Sequence, residues 1–227
     1  MSQIEWQYIF DPDLAWRALP TVLEGLSLTL YISLISMVLG LMMSLFLALA
    51  RQSRHLYLQI PARMYISFMR GVPILIILFM LYFGFPYIGI EFTAVNAAII
   101  GFSFNSAAYM AEINRSAIDA VPKGQWEAAR SLGLSYTKMM RQIVLPQASR
   151  IAVPPLTNVL LDLIKASSLA AMITVPEIFQ MSRIVAGREM DYMTMFILVA
   201  IIYWVICTLM TQLQNYLEKR FARYGEL

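Results

Sequence analysis

LSLTLYISLISMVLGLMMSLFLALA, residues 26–50, runs for 25 positions without a charged side chain. A helix rising about 1.5 Å per residue needs roughly 20 apolar residues to cross about 30 Å of hydrocarbon, so this run is long enough to span a bilayer. Uncharged runs of similar length follow at 71–90, 92–111 and 192–217, and a fifth, about 151–175, is interrupted only by Asp162 and Lys165. Across 227 residues the chain is 59% hydrophobic and 14% charged, with a mean hydropathy of +0.65. Those values lie outside the range of soluble domains and predict an all-α integral membrane protein with about five transmembrane helices.

Cations set the expected orientation, because Lys and Arg resist translocation. Arg51, Arg54, Arg63 and Arg70 follow the first run; Arg115, Lys123, Arg130, Lys138, Arg141 and Arg150 follow the third; Lys219, Arg220 and Arg223 follow the fifth. Placing those three regions in the cytoplasm puts the N-terminus outside and the C-terminus inside. Residues 1–25 then form an external segment, 26–217 the membrane domain with a cytoplasmic loop at about 112–150, and 218–227 a cytoplasmic tail. The first apolar run starts late and is preceded by Glu5, Asp11, Asp13 and Glu24 against Arg17, the opposite of a basic leader, so the N-terminal segment is expected to be retained.

Other compositional signals are weak. The net charge of +3 is accounted for by the cytoplasmic loops and carries no implication of nucleic-acid binding. Cys207 stands alone within the fifth run and reads as a small buried hydrophobe, His55 is assigned no chemistry, and the 16 Met residues read as adaptable packing rather than metal ligands.

The loop at 112–150 is the longest polar stretch. Val121-Pro122-Lys123-Gly124 reads as a turn, since Pro122 removes a backbone donor where a helix ends or restarts. Residues 125–132 then read as a short helix closed by Gly133 in the left-handed conformation, and 136–143 as a second short helix at the membrane surface. Trp126, Ala129 and Gly133 fall at i, i+3 and i+7, giving the first helix a small and aromatic face expected to dock, flanked by Glu127 and Arg130.

Glu127-Ala128-Ala129, three residues, Gly133, nine residues, Ile143, one residue, Leu145-Pro146 resembles the cytoplasmic signature loop of the permease subunits of bacterial ATP-binding-cassette importers. Every fixed position of that pattern is matched. The resemblance covers nearly the whole chain and extends to Arg70-Gly71-Val72-Pro73, to 108–115, to Gly124-Gln125-Trp126 and to Lys165-Ala166-Ser167-Ser168-Leu169. In the last of these, similar permeases more often carry Asp where this chain has Ala166. The resemblance implies type I importer permease architecture in a bacterial inner membrane. It also implies a second permease subunit, identical or not, a cytoplasmic ATPase dimer and an external amino-acid-binding protein. Gln125, Trp126, Glu127, Ala128, Ala129, Arg130 and Gly133 would couple to the ATPase. ATP and Mg would be bound by that partner, because this chain has no G-x-x-x-x-G-K-[ST] loop to cradle phosphates and no cofactor site or catalytic group of its own. Residues 124–129 together with Ala186-Gly187-Arg188-Glu189 look most like importers of L-cystine and related sulfur amino acids.

Ionisable groups within the spans are the second signal, since each costs roughly 2.5–3.5 kcal/mol to insert and faces a cavity or a partner. Asp162 and Lys165, at i and i+3, either neutralise each other or line a polar path with Asn158 and Ser168. In the second reading Asp162 meets the ammonium and Lys165 the carboxylate of a zwitterionic amino acid. Asn105, Tyr109 and Glu112 share one face of the third span and have the same potential, with a Glu112–Arg115 ion pair as the competing reading. Two other classes are compatible with membrane charges: an ion-coupled carrier with Asp162 and Lys165 as relay, and a membrane scaffold that binds an ATPase without transporting. Five spans without inverted-repeat signals speak against the carrier.

Overall fold

Proline and glycine cut the apolar runs into helices. The computed structural model describes the backbone of residues 9–223 and the side chains of residues 9–216. Its α-helices are α1 (Pro12–Glu24), α2 (Leu26–Gln52), α3 (Leu56–Gly71), α4 (Ile74–Phe79), α5 (Ala94–Asp119), α6 (Lys123–Ser131), α7 (Tyr136–Met139), α8 (Leu145–Ala166), α9 (Ile178–Glu189) and α10 (Tyr192–Arg223). The all-α membrane architecture expected from the sequence is present. Three helical stretches, 26–52, 136–173 and 192–216, are long and apolar enough to cross a membrane, and the pair 56–71 and 74–88, broken at Val72-Pro73, supplies a fourth. α5 has the length of a span at 26 residues, but Asn96, Ser103, Asn105, Ser106 and Asn114 make it more polar than the others. Val72 is extended (φ −98°, ψ 131°), as the residue before a proline must be to avoid its ring.

Two prolines leave the same mark. Met80–Gly84 and Met140–Val144 are π-helical turns, and each ends two residues before a proline, Pro86 and Pro146. The residue between donates its N–H five residues back, Phe85 to Met80 and Leu145 to Met140. A proline has no N–H for the carbonyl four residues earlier and its ring collides with that carbonyl; widening the preceding turn relieves both problems. The consequence at Pro146 corrects the expectation of a separate second surface helix. Residues 136–143 run through the π turn directly into α8.

The chain forms two compact units. The first comprises the described parts of 1–35, 75–101 and 161–227, and its core joins α1, α9 and α10 through Leu14, Val22, Ile178, Val185, Met195 and Ile202. Within the described part of the N-terminal segment, residues 9–25, most of the chain is helix α1, opened by Asp11, whose carboxylate accepts from the N–H groups of Asp13 and Leu14. Residues 1–8, and 224–227 of the tail, lie outside the described residues. The second unit comprises 36–74 and 102–160. Its main core gathers the end of α5, one face of α6 and the 136–152 stretch around Ile118, Ala129, Met139, Met140 and Val144.

Candidate functional site

α5 ends at Asp119 and α6 begins at Lys123, with Pro122 as the N-cap between them, where its missing N–H leaves nothing unsatisfied. At the far end Gly133 has φ +71°. Its N–H donates to the Arg130 carbonyl at 2.9 Å, and that of Leu134 to the Ala129 carbonyl at 3.1 Å. These two bonds form a Schellman closure, which satisfies the last carbonyls of α6 and requires the left-handed residue that glycine supplies. Gln147 Nε2 donates to Gln125 Oε1 at 3.4 Å, tying α6 to the first turn of α8.

The surface α6 offers differs from the one its periodicity suggests. Ala129 is buried and Trp126 half-buried, both packed into the core of the second unit. A nine-residue helix is not stable by itself in water and has to bury its apolar stripe. The small and aromatic face is thus the anchor, and of the expected docking set Trp126 and Ala129 point inward. Gln125, Glu127, Ala128, Arg130 and Gly133 are exposed. Beside them stands a residue that sequence reasoning passed over: Leu132, 78% exposed. A large aliphatic side chain next to a glycine turn, flanked by polar groups, has the character of a contact surface. Neither Glu127 nor Arg130 has a salt-bridge partner among the described residues. A cavity of about 340 Å³ adjoins them, walled by Gln52, Asp119, Lys123, Trp126, Glu127 and Arg130 among others.

In the second unit, the three polar residues on one face of α5 are occupied with neighbouring helices. Asn105 Nδ2 donates to the Met69 carbonyl at 2.7 Å, filling an acceptor at the end of α3. Tyr109 lies under the Arg70 guanidinium, 5.6 Å from the ring centroid. Glu112 pairs with Arg51 at the end of α2 and with Arg115 at 3.3 Å, and Arg115 continues to Asp119 at 2.6 Å. Both the ion-pair expectation for Glu112 and a further partner, Arg51, are realised. Asn158 is exposed on α8.

In the first unit, Lys165 Nζ and Asp162 Oδ1 stand 2.8 Å apart, with side chains 57% and 71% exposed. The pair is neutralised locally, yet it faces out of an apolar stretch. Ser168, half-buried in the 3₁₀ turn that follows, donates to the Lys165 carbonyl at 2.8 Å.

Glu177, a formal charge in a short loop that no sequence motif singles out, has a fully buried side chain. It caps α9, with Oε1 accepting from the Gln180 N–H at 2.8 Å and Oε2 from the Phe179 N–H at 2.9 Å and the Tyr203 hydroxyl at 2.9 Å. Burial pushes its carboxyl above the ordinary range, against the pull of these three donors. Gly25 makes room for this cap: a Cβ there would stand 2.4 Å from the Glu177 carbonyl carbon.

Comparison with known proteins accords with this geometry. The family described as binding-protein-dependent transport system inner membrane component matches residues 36–223. The chain is 64% identical over 224 residues to a probable amino-acid ABC transporter permease protein, YckA, of Bacillus subtilis (strain 168), covering 99% of each chain. It is 37% identical over 206 residues to the L-cystine transport system permease protein TcyB of the same organism, covering 90% of this chain and 88% of that one. A crystal structure of an amino acid ABC transporter with histidines superimposes with a TM-score of 0.86 at 32% identity, over 90% of this chain and 95% of that one. The chain belongs to the family of binding-protein-dependent transport system inner membrane components, as the multi-pass, non-catalytic permease of an ABC transporter.

Proposed function

We propose that this permease forms the translocation pathway of an ATP-driven amino-acid importer, with a second permease subunit, identical or similar, beside it. The observation that carries the substrate class is the exposed Asp162–Lys165 pair on an otherwise apolar stretch of α8. A free amino acid carries one ammonium and one carboxylate, and a path across hydrocarbon has to offer a partner to each. Asp162 takes the first role and Lys165 the second, with Ser168 and Asn158 as polar neighbours in sequence. Asn105, Tyr109 and Glu112 hold helices of the second unit in place. An external binding protein delivers the substrate, as the family description implies. A cytoplasmic ATPase dimer binds ATP and Mg and bears on α6 through Gln125, Glu127, Ala128, Arg130, Leu132 and Gly133. Nucleotide-dependent contacts there bias the permease between its states. The finer reading, import of L-cystine or a related sulfur amino acid, is supported by 37% identity to a cystine permease.

The assembled importer in liposomes tests the whole reading, with the external binding protein loaded in turn with a panel of amino acids that includes cystine. Uptake is expected only with ATP inside, and uptake driven by a proton gradient alone would make the chain an ion-coupled carrier. Cystine is expected to give the largest ATPase stimulation; stimulation by other amino acids but not by cystine removes the sulfur assignment alone. Asp162→Asn is expected to change the substrate profile, and an unchanged profile returns Asp162 and Lys165 to the role of a structural ion pair.

A further inference from the structure

The second unit contains a groove of about 300 Å³ with an apolar lining. Ala48, Ala148 and Ala152, all buried, lie where longer side chains would fill it, while Leu45, Leu49 and Leu145 are roughly half exposed and form its rim. The groove is open to the surface and set in the last two turns of α2, the last two turns of α5 and the first two turns of α8. Residues 45–52 rise about 12 Å along α2, which is less than half of a hydrocarbon core about 30 Å thick. These helix ends all meet the regions rich in cations, the cytoplasmic side by charge bias.

The charge at those ends is free. Arg54 follows α2, Arg141 lies one turn before Leu145, and Arg150 follows Ser149, a residue of the groove wall. All three are exposed and none has a carboxylate in salt-bridge range among the described residues, whereas Arg51 is consumed by Glu112. An apolar slot between membrane helices, at inner-leaflet depth and with the unpaired Arg141 one turn beyond its rim, matches the two halves of one ligand class. We infer that the groove between α2, α5 and α8 holds an acyl chain of an anionic phospholipid of the inner leaflet, whose headgroup phosphate is met by Arg141, one turn beyond the rim residue Leu145. Arginine suits this task because its planar fork meets two phosphate oxygens at once. Neither the transported substrate nor the ATPase enters this assignment.

The test is native mass spectrometry of the assembled importer, delipidated in detergent and incubated with palmitoyl-oleoyl phosphatidylglycerol or with phosphatidylcholine of the same chains. Each free cation at headgroup level is expected to favour the anionic lipid about fivefold. Arg141→Glu is therefore expected to lower phosphatidylglycerol retention at least that much while leaving phosphatidylcholine unchanged. Ser149→Phe, at an exposed position on the groove wall, is expected to lower both lipids together by filling the slot. Equal retention of the two lipids by the unaltered protein overturns the proposal, as does retention indifferent to both substitutions. A disulfide between the Leu49→Cys variant and the second permease subunit in native membranes overturns it too, by showing that a protein helix occupies the groove.

Discussion

At Gly133 the turn's backbone requirement and the docking role proposed for the loop can be separated, because three substitutions rank them in opposite orders. The residue sits at φ +71°, and a Cβ built on it meets nothing within 4 Å. Any cost within the chain is therefore backbone strain alone. An alanine held left-handed loses about 1–2 kcal/mol, which is a factor of about 5–30 in the population of the ordered turn. Asparagine and aspartate tolerate this conformation better, so the turn by itself ranks alanine as the worst of the three. Docking ranks them the other way. Gly133 is exposed between Leu132 and Tyr136, which are themselves exposed, and a partner pressed against that surface meets the added side chain. Alanine adds one methyl, asparagine a polar group, and aspartate a desolvated charge as well. We expect all three variants to insert at normal levels. ATP-dependent uptake in proteoliposomes should then fall modestly for Gly133→Ala, further for Gly133→Asn, and to background for Gly133→Asp. Normal transport by the aspartate variant, or alanine as the most damaging of the three, refutes the docking role of this turn.

The remaining predictions concern the buried cap at Glu177. Gly25→Ala places a methyl 2.4 Å from the Glu177 carbonyl carbon and 2.5 Å from the Ile178 nitrogen, both backbone atoms that yield only if α9 shifts. A cost of about 1–3 kcal/mol follows, read as a drop of about 2–4 °C per kcal/mol in the melting temperature of the purified complex. An unchanged melting temperature would show that the junction is looser than described. Tyr203→Phe removes one of three donors to a buried carboxylate and is expected to cost about 1.5–3 kcal/mol by the same measurement. Because the Glu177 carboxyl is raised in the folded protein, the native state keeps a proton that the unfolded chain has released between the ordinary and the raised value. Stability should therefore fall as pH climbs through that window and level off above it. Glu177→Gln should remove that slope, and a slope that persists in the glutamine variant assigns it to another group.

The contrast between α6 and Glu177 shows what the sequence carries. The uncharged runs at 26–50 and 192–217 give spans directly, because the hydrocarbon thickness sets a length that few other constraints imitate, whereas the run at 71–90 is one arm of a bent pair and that at 92–111 is the more polar α5. Pro122 and Gly133 give the ends of α6, because each has one dominant backbone consequence. Which face of α6 points inward is a different question. Helical spacing groups Trp126, Ala129 and Gly133 on one side, and the same grouping serves an anchor or a docking surface equally well. The choice depends on the neighbouring core from α5 and residues 136–152, which is a tertiary fact.

Glu177 fails for the opposite reason. As a formal charge in a short loop it has the sequence signature of a solvated residue, and only the convergence of α9, Tyr203 and the space left by Gly25 makes it a buried acceptor. The two π turns occupy a middle ground. Prolines 86 and 146 announce a disturbed hydrogen-bond ladder, but a kink, a helix end and a widened turn are all solutions to the same missing donor. At Pro146 the widened turn lets 136–139 continue into α8 in one helical course rather than stop at the membrane surface.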